Sequence, residues 1–291
     1  MRILITGGNG FIGRNLNEYL SKKHHITSID IGDLNLMNSD AVDDYFLDKE
    51  FDVLVHTAVI GGNRKILNNP NILKNNLRMF FNIIRNKNHF GKMIFIGSGA
   101  EYDKSRDLKD VKEEDFGKNV PDDDYGFYKY LCSKYIENLD DVISLKVFGV
   151  FGKYEDYKTR FISNIICRTI FDLPVEINQN AVFDFIYIED LCKIIEYFIE
   201  NKARYKFYNI GSEKHYNLLG IVEKIKKISG KDFEIKIKNP GMNKEYTCNN
   251  SKLREELKDF RFTEIETSIK ELYDWYLENK DNIKKESLLI Y

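Results

Sequence analysis

The chain is poor in the residues that build special structures. Of 291 residues, four are proline, four are cysteine and one is tryptophan. Cys132, Cys167, Cys192 and Cys248 are scattered and show no metal-ligand spacing, so no metal site is expected, and they fit the reduced thiols of a cytoplasmic protein. An excess of charge of one sign is also missing. The net charge of −2 gives no argument for nucleic acid or an anionic membrane as partner. No apolar stretch approaches the roughly 20 residues that cross a bilayer. The opening residues read as a strand rather than a charged head and an apolar core, so no signal peptide is expected. What remains, 43% hydrophobic and 31% charged, is the balance of a soluble globular protein. The length is enough for one large or two interlocked domains.

The first thirteen residues are the most informative. In Met1-Arg-Ile-Leu-Ile-Thr-Gly-Gly-Asn-Gly-Phe-Ile-Gly13 a short apolar strand runs into a glycine loop. An amphipathic helix with Phe11, Leu16, Tyr19 and Leu20 on one face follows. Such a turn aims unpaired N–H groups and the positive end of the helix dipole at one spot, which suits a diphosphate. Gly7 serves the tight turn, Gly10 the approach of backbone to pyrophosphate, and Gly13 close helix–strand packing. Asn9, Phe11 and Ile12 belong to the same loop and helix start.

Strand and helix signals then alternate. Ile26–Ile29, Val53–His56, Met93–Ser98 and Val142–Val147 read as strands. Ser39–Leu47, Asn71–Ile84 and Tyr125–Leu139 read as helices, and Lys104–Asp124 as a charged loop. This order predicts an α/β fold, a doubly wound parallel sheet with helices on both faces. Regularity fades after Gly152. Residues 1–150 are expected to form the dinucleotide-binding domain, with 183–208 returning to it through a strand at Phe185–Ile188. Residues 151–182 and 209–291 are expected to form a smaller α/β cap.

Three constellations carry chemistry. Asp30 ends the second strand, where a carboxylate can hold ribose hydroxyls and repel a 2′-phosphate, a lean toward NADH; a surface acid in a turn is the alternative. Tyr125 and Lys129 are spaced i, i+4 and share one side of a helix. An ammonium beside a phenol lowers its pKa and makes it a better proton donor and acceptor near neutral pH. Tyr130 and Lys134 share the spacing and are the alternative pair. Ser98 ends a strand at the edge where such sheets bind ligands, and can either bond a reacting oxygen or merely cap a turn.

With these residues in view the chain resembles an extended short-chain dehydrogenase/reductase of the nucleotide-sugar epimerase/dehydratase group, over nearly its whole length. The group's Thr-Gly-x-x-Gly-x-x-Gly loop matches Thr6–Gly13, and its Asp-x-Val-x-His-x-Ala strand matches Asp52, Val53, His56 and Ala58. Its Tyr-Gly-x-x-Lys helix matches Tyr125, Gly126 and Lys129. Its later motifs match Asp184, Phe185, Tyr187 and Asp190, and Tyr208–Ser212. Leu34–Val42 and the Gly61-Gly62 pair resemble the GDP-fucose synthase type, and the second strand the dTDP-4-dehydrorhamnose reductase type, both sugar 4-ketone reductases.

The resemblance implies a Rossmann fold and catalysis by Ser98, Tyr125 and Lys129. It places Asn35 and Leu36 near the adenine, Thr57 and Ala58 near the ribose, Lys129 on the nicotinamide ribose and Phe148 near the nicotinamide. Dehydratases of the group carry Asp-Glu directly after the catalytic hydroxyl, where this chain has Gly99 and Ala100. The epimerising cysteine and histidine of GDP-fucose synthase fall at Ala100 and Arg160. The usual Arg-Asp-Phe reads Phe183-Asp184-Phe185, which leaves Arg160 to hold the substrate phosphates, and the usual asparagine after Phe148 is Gly149. Ser98, Tyr125, Gly149 and Arg160 are therefore the expected substrate contacts. The implied activity is reduction of an NDP-4-keto-6-deoxy sugar at C4 with NADH or NADPH, the biosynthetic role leaning toward NADPH. A 4-epimerase with tightly held NAD is the alternative. A homodimer through a four-helix bundle of Asn71–Ile84 and Tyr125–Leu139 is implied, with Met79, Phe80 and Ile83 as either its apolar face or part of the core.

Overall fold

A computed structural model of the protein describes residues 1–61 and 71–288; Gly62 therefore lies outside the described residues. Strands β1 (Arg2–Thr6), β2 (His25–Ile29), β3 (Phe51–His56) and β4 (Phe90–Ser98) alternate with helices α1 (Phe11–Leu20), α2 (Ser39–Phe46) and α3 (Ile72–Ile84). Then come β5 (Leu108–Val111), α4 (Asp124–Ile136), β6 (Val142–Val147), β7 (Gly149–Phe151), α5 (Phe161–Ile170) and β8 (Val175–Ile177). The last part holds β9 (Val182–Tyr187), α6 (Ile188–Glu200), β10 (Phe207–Ile210), β11 (His215–Asn217), α7 (Leu218–Ser229) and β12 (Ile235–Ile237). It ends with β13 (Tyr246–Cys248), α8 (Ser251–Glu256) and α9 (Ile265–Glu278).

Six strands form a parallel sheet in the order β10-β6-β4-β3-β1-β2. Both faces are covered, as an all-parallel sheet requires. Successive side chains of β1 go to opposite cores. Leu4 joins Leu54, Phe80, Phe95 and Tyr128 on the side of α2, α3 and α4, whereas Ile3 and Ile5 join Leu16 and the apolar stripe of α6. The chain leaves β1 toward β2 and later returns on its other side as β3, so the order reverses beside β1. In open sheets of this kind ligands bind outside the carboxyl ends of the strands at that reversal.

A second sheet, β11-β9-β13-β5 with β7 also paired to β9, stands at the same end. Two expectations are corrected here. The strand near residue 185 does not rejoin the parallel sheet; it lies inside the second sheet, with neighbours on both edges. The return is made by α6, which packs on α1, and by β10, whose Tyr208 and Ile210 are fully buried at the sheet edge beside β6. The stretch 104–124 is not all loop either, because Leu108–Val111 is a strand paired with β13. Few of its residues are apolar, so no periodic signal marked it.

Met79, Phe80 and Ile83 are buried in the core rather than presented outward. The side chains left exposed where α3 meets α4 are Phe81 and Tyr135, edge to face at 5.0 Å.

Candidate active site

The glycine loop is shaped by contacts that exclude side chains. Gly7 has φ +73°, and a Cβ there would lie 2.7 Å from the Ala58 Cα. A Cβ on Gly13 would lie 2.2 Å from the Gly7 carbonyl oxygen. Gly10 is different: its N–H donates to the Gly7 carbonyl at 3.0 Å, and it opens α1 with no side-chain cap. No acid occupies the first turn. The helix start at Gly10, Phe11 and Ile12 thus keeps its positive end uncompensated, as an anion site requires.

Asp30 sits at the end of β2 against this loop. Its carboxylate accepts the Asn9 N–H at 2.9 Å and the Ile31 N–H at 2.7 Å. Asn35 is on the exposed rim, while Leu36 is buried beneath it, its carbonyl held by the Asn82 amide at 2.8 Å. Thr57 donates its hydroxyl to the Thr6 carbonyl at 2.7 Å, and Ala58 follows at the mouth of β3. His56 lies 2.8 Å from the Thr6 hydroxyl, and burial pushes its pKa down to about 3, so its imidazole is neutral. Phosphate donors at the helix start, a carboxylate for the ribose and a bare glycine turn fit a dinucleotide.

Ser98, Tyr125 and Lys129 come together at the carboxyl end of β4. Asp123 caps α4 by accepting the Gly126 N–H at 3.1 Å, which fixes Tyr125 in the first turn. Ser98 stands near the Tyr125 phenol and works against the rise of its pKa. It also accepts the Ala100 N–H at 3.1 Å, so it caps a short turn and faces the crevice at once. Lys129 is buried; its ammonium donates to the Ile96 carbonyl and lies 4.5 Å over the Phe95 ring. Burial pulls its pKa down to about 8.

The expected tuning of Tyr125 by Lys129 is not what the structure shows. Burial raises the Tyr125 pKa, and the opposing influences are the Arg160 charge and the nearby Ser98 hydroxyl. Lys129 is drawn to Ile96 instead. The alternative pair is elsewhere: Tyr130 packs at 5.2 Å on Phe116, and Lys134 pairs with Glu137 at 2.9 Å.

Arg160 opens α5, exposed, and its charge reaches both Tyr125 and Glu155. Gly149 opens β7, where a Cβ would lie 2.6 Å from the Asp184 carbonyl oxygen; the close strand contact needs glycine. Phe148 is not an open surface for a nicotinamide. It is 2% exposed, tilted against Tyr246 at 4.8 Å and Tyr102 at 6.3 Å.

Two features escaped the sequence reading. Glu101 and Lys146 form an ion pair with both side chains wholly buried, and the other Glu101 oxygen accepts the Ser98 N–H at 2.9 Å. Tyr246, brought from β13, stands over Gly99, its hydroxyl oxygen 2.6 Å from where a Cβ there would lie. No motif marks either one; both depend on residues far apart in the chain. A cavity of about 400 Å³ beside β9 and the start of α9 is lined by none of Ser98, Tyr125 and Lys129.

Fold and site together define a dinucleotide-binding α/β protein. Residues 3–211 match the NAD dependent epimerase/dehydratase family, and the chain belongs to that family. It is 24% identical to GDP-L-colitose synthase of Yersinia pseudotuberculosis over 79% of this chain and 82% of that one. The fold matches UDP-glucose 4-epimerase of Thermotoga maritima with TM-score 0.84 and 20% identity, covering 96% of this chain and 100% of that one. It matches the GDP-mannoheptose C4 reductase of Campylobacter jejuni, solved with NADP, with TM-score 0.80 and 21% identity over 94% and 98% of the two chains.

Proposed function

We propose that the protein is an NAD(P)H-dependent reductase acting at C4 of an NDP-4-keto-6-deoxy sugar, hexose or heptose, in glycoconjugate or polysaccharide synthesis. The observation that carries this reading is Ser98, Tyr125 and Lys129 gathered at one strand end with no second proton-moving side chain behind Ser98. Gly99 and Ala100 carry none, and the next carboxylate, Glu101, is sealed inside its pair with Lys146. That leaves chemistry at a single carbon.

A bound nicotinamide would supply the hydride. Tyr125, kept protonated by its raised pKa, donates the proton to the sugar oxygen. Arg160 and Ser98 steady the phenolate left behind. Ser98 also bonds the forming alkoxide, an effect of about 2.7–4 kcal/mol where such donors have been removed. Lys129 anchors the nicotinamide ribose and Arg160 the substrate phosphates. Four buried free cysteines suit a cytoplasmic location. The likeness to GDP-L-colitose synthase and to a C4 reductase supports the reduction.

A 4-epimerase holding NAD is the second reading, favoured by Asp30, whose carboxylate would repel the extra phosphate of NADP. A matrix of GDP-, dTDP-, UDP- and CDP-linked 4-keto sugars against NADH and NADPH separates the two. Loss of nicotinamide absorbance supports the reductase. Purified protein carrying NAD and interconverting C4 epimers without added reductant overturns it. The assembly we infer is a homodimer through α3 and α4, supported by exposed Phe81 and Tyr135. Phe81→Asp should then halve the sedimenting mass, and a wild-type monomer would remove the bundle.

A further inference from the structure

At the end of the sheet away from Ser98, the turn between α1 and β2 brings one histidine to two acids. The Lys23 and His24 N–H groups donate to the Leu20 carbonyl at 3.0 and 2.9 Å, which closes the turn. Glu196 and Glu200 stand one helical turn apart on α6, so their carboxylates share a face. The His24 Nε2 lies 4.0 Å from Glu196 Oε1 and 3.6 Å from Glu200 Oε1, and the three ligand atoms all lie within 4.8 Å of one another. The cluster uses none of the four cysteines.

His24 is the member that points to a ligand. Its side chain is 7% exposed, and its Nε2 is buried with no hydrogen-bond partner among the described residues. At 3.6 and 4.0 Å the carboxylates are beyond hydrogen-bonding reach. A buried polar nitrogen left so is costly, and a cation set between it and the two oxygens would satisfy all three at once. Two ammonium groups already serve this end of α6. Lys23 donates to Glu196 Oε1 at 2.8 Å, while Lys92 donates to the carbonyls of Phe198, Ile199 and Asn201. The Lys23 side chain is exposed and can swing into water. The Tyr19 hydroxyl donates to Glu196 Oε2 at 2.8 Å and orients that carboxylate from behind, as outer partners of metal ligands do.

We propose that His24, Glu196 and Glu200 form a site for a divalent transition cation, zinc by its ligand set, which clamps the end of α1 to the end of α6. One imidazole and two carboxylates suit zinc, with bonds of about 2.0–2.2 Å and a water as fourth ligand. The edges of such a tetrahedron are about 3.4 Å, so the ligand gaps close by less than about 1 Å, and the exposed Glu200 arm is able to move. Lys23 gives up its place on Glu196 when the metal enters. The cation is structural: it holds the far end of the helix whose start forms the phosphate-binding turn, and it touches no group at Ser98. The inference does not rest on the sugar-ketone reading.

The full-length protein, stripped with EDTA and desalted, should take up zinc at one saturable site per chain in titration calorimetry. His24→Gln and Glu200→Gln should each weaken that site at least about tenfold, no less than the loss of an outer partner costs. Lys23→Met removes the competing ammonium and should tighten it several-fold. Zinc at about a hundredfold excess over Kd should raise the melting temperature of the wild type by several degrees and leave that of His24→Gln unmoved. Glu200 is exposed, so Glu200→Gln keeps the test open should His24→Gln fail to fold. A wild type with no saturable zinc site up to about 100 µM overturns the inference. So does a site that His24→Gln and Glu200→Gln leave intact, or one that magnesium fills equally well.

Discussion

Around β1 and α1 the crevice is made of backbone, whereas around β9 and β13 it is made of rings. On the first side a glycine turn opens α1 without a side-chain cap, and Asp30, at the end of β2, fastens the loop through the Asn9 N–H. On the other side Phe148, Phe183 and Tyr246 press on one another over Gly99. A backbone site tolerates few residues at fixed short spacing and binds what every dinucleotide shares. A ring site depends on residues brought from distant parts of the chain, and under the proposed function it would meet what distinguishes one sugar from another. The two meet at Ser98, where we propose the reaction centre.

The largest expected effect falls on that junction. Tyr125→Phe should lower kcat by about 10²–10⁴, the usual reach of general acid catalysis, with cofactor affinity and melting temperature kept. Full turnover in that variant, measured with the substrate the matrix identifies, would remove the enzymatic reading. Next is the support under Ser98. Glu101→Gln leaves the Lys146 ammonium buried without a counter-charge and should cost about 3–5 kcal/mol in chemical denaturation. The double change Glu101→Leu with Lys146→Met should recover much of that loss; if the single change is silent, the pair is not what holds the strand end.

A smaller effect tests the backbone side. Gly13→Ala sets a methyl 2.2 Å from the Gly7 carbonyl oxygen and should cost about 1–3 kcal/mol of stability. Cofactor affinity should fall with it while any sugar affinity remains. Equal loss of both would break the contrast between the two sides. The mildest effect is that of pH. Lys129 has its pKa lowered from 10.5 to about 8, so the free enzyme loses this proton as pH rises through about 8. Cofactor affinity, followed by titration, should fall there, approaching about tenfold per pH unit if only the ammonium binds. The sign for stability is opposite: the unfolded chain keeps the proton longer, so the free protein gains stability from about pH 8 to about pH 10.5. A Lys129→Met variant should show neither slope.

What was legible follows from the same contrast. Thr6–Gly13 and Tyr125 with Lys129 could be read because their meaning lies within one turn of helix or one loop. Glu101 and Lys146, or Phe148 and Tyr246, become partners only after the sheets are assembled. Residue type left one choice open and misled in another place. Met79, Phe80 and Ile83 are apolar on a helix that has two neighbours, and packing turned them inward. Phe183 and Phe185 look like sheet core, but their strand found its partners in β7, β11 and β13. The expected effect of Lys129 on Tyr125 failed for a geometric reason, since the ammonium had a nearer carbonyl to serve.

One carboxylate ties cofactor choice to loop shape. Asp30 holds the Asn9 N–H, so the group that would discriminate against an additional phosphate is also a clasp on the phosphate-binding turn. Redesigning the enzyme to accept the phosphorylated cofactor by removing this acid would loosen the turn for either cofactor. A successful exchange of coenzyme therefore has to supply a new acceptor for Asn9 along with a new cation, which makes it a two-residue change at the least.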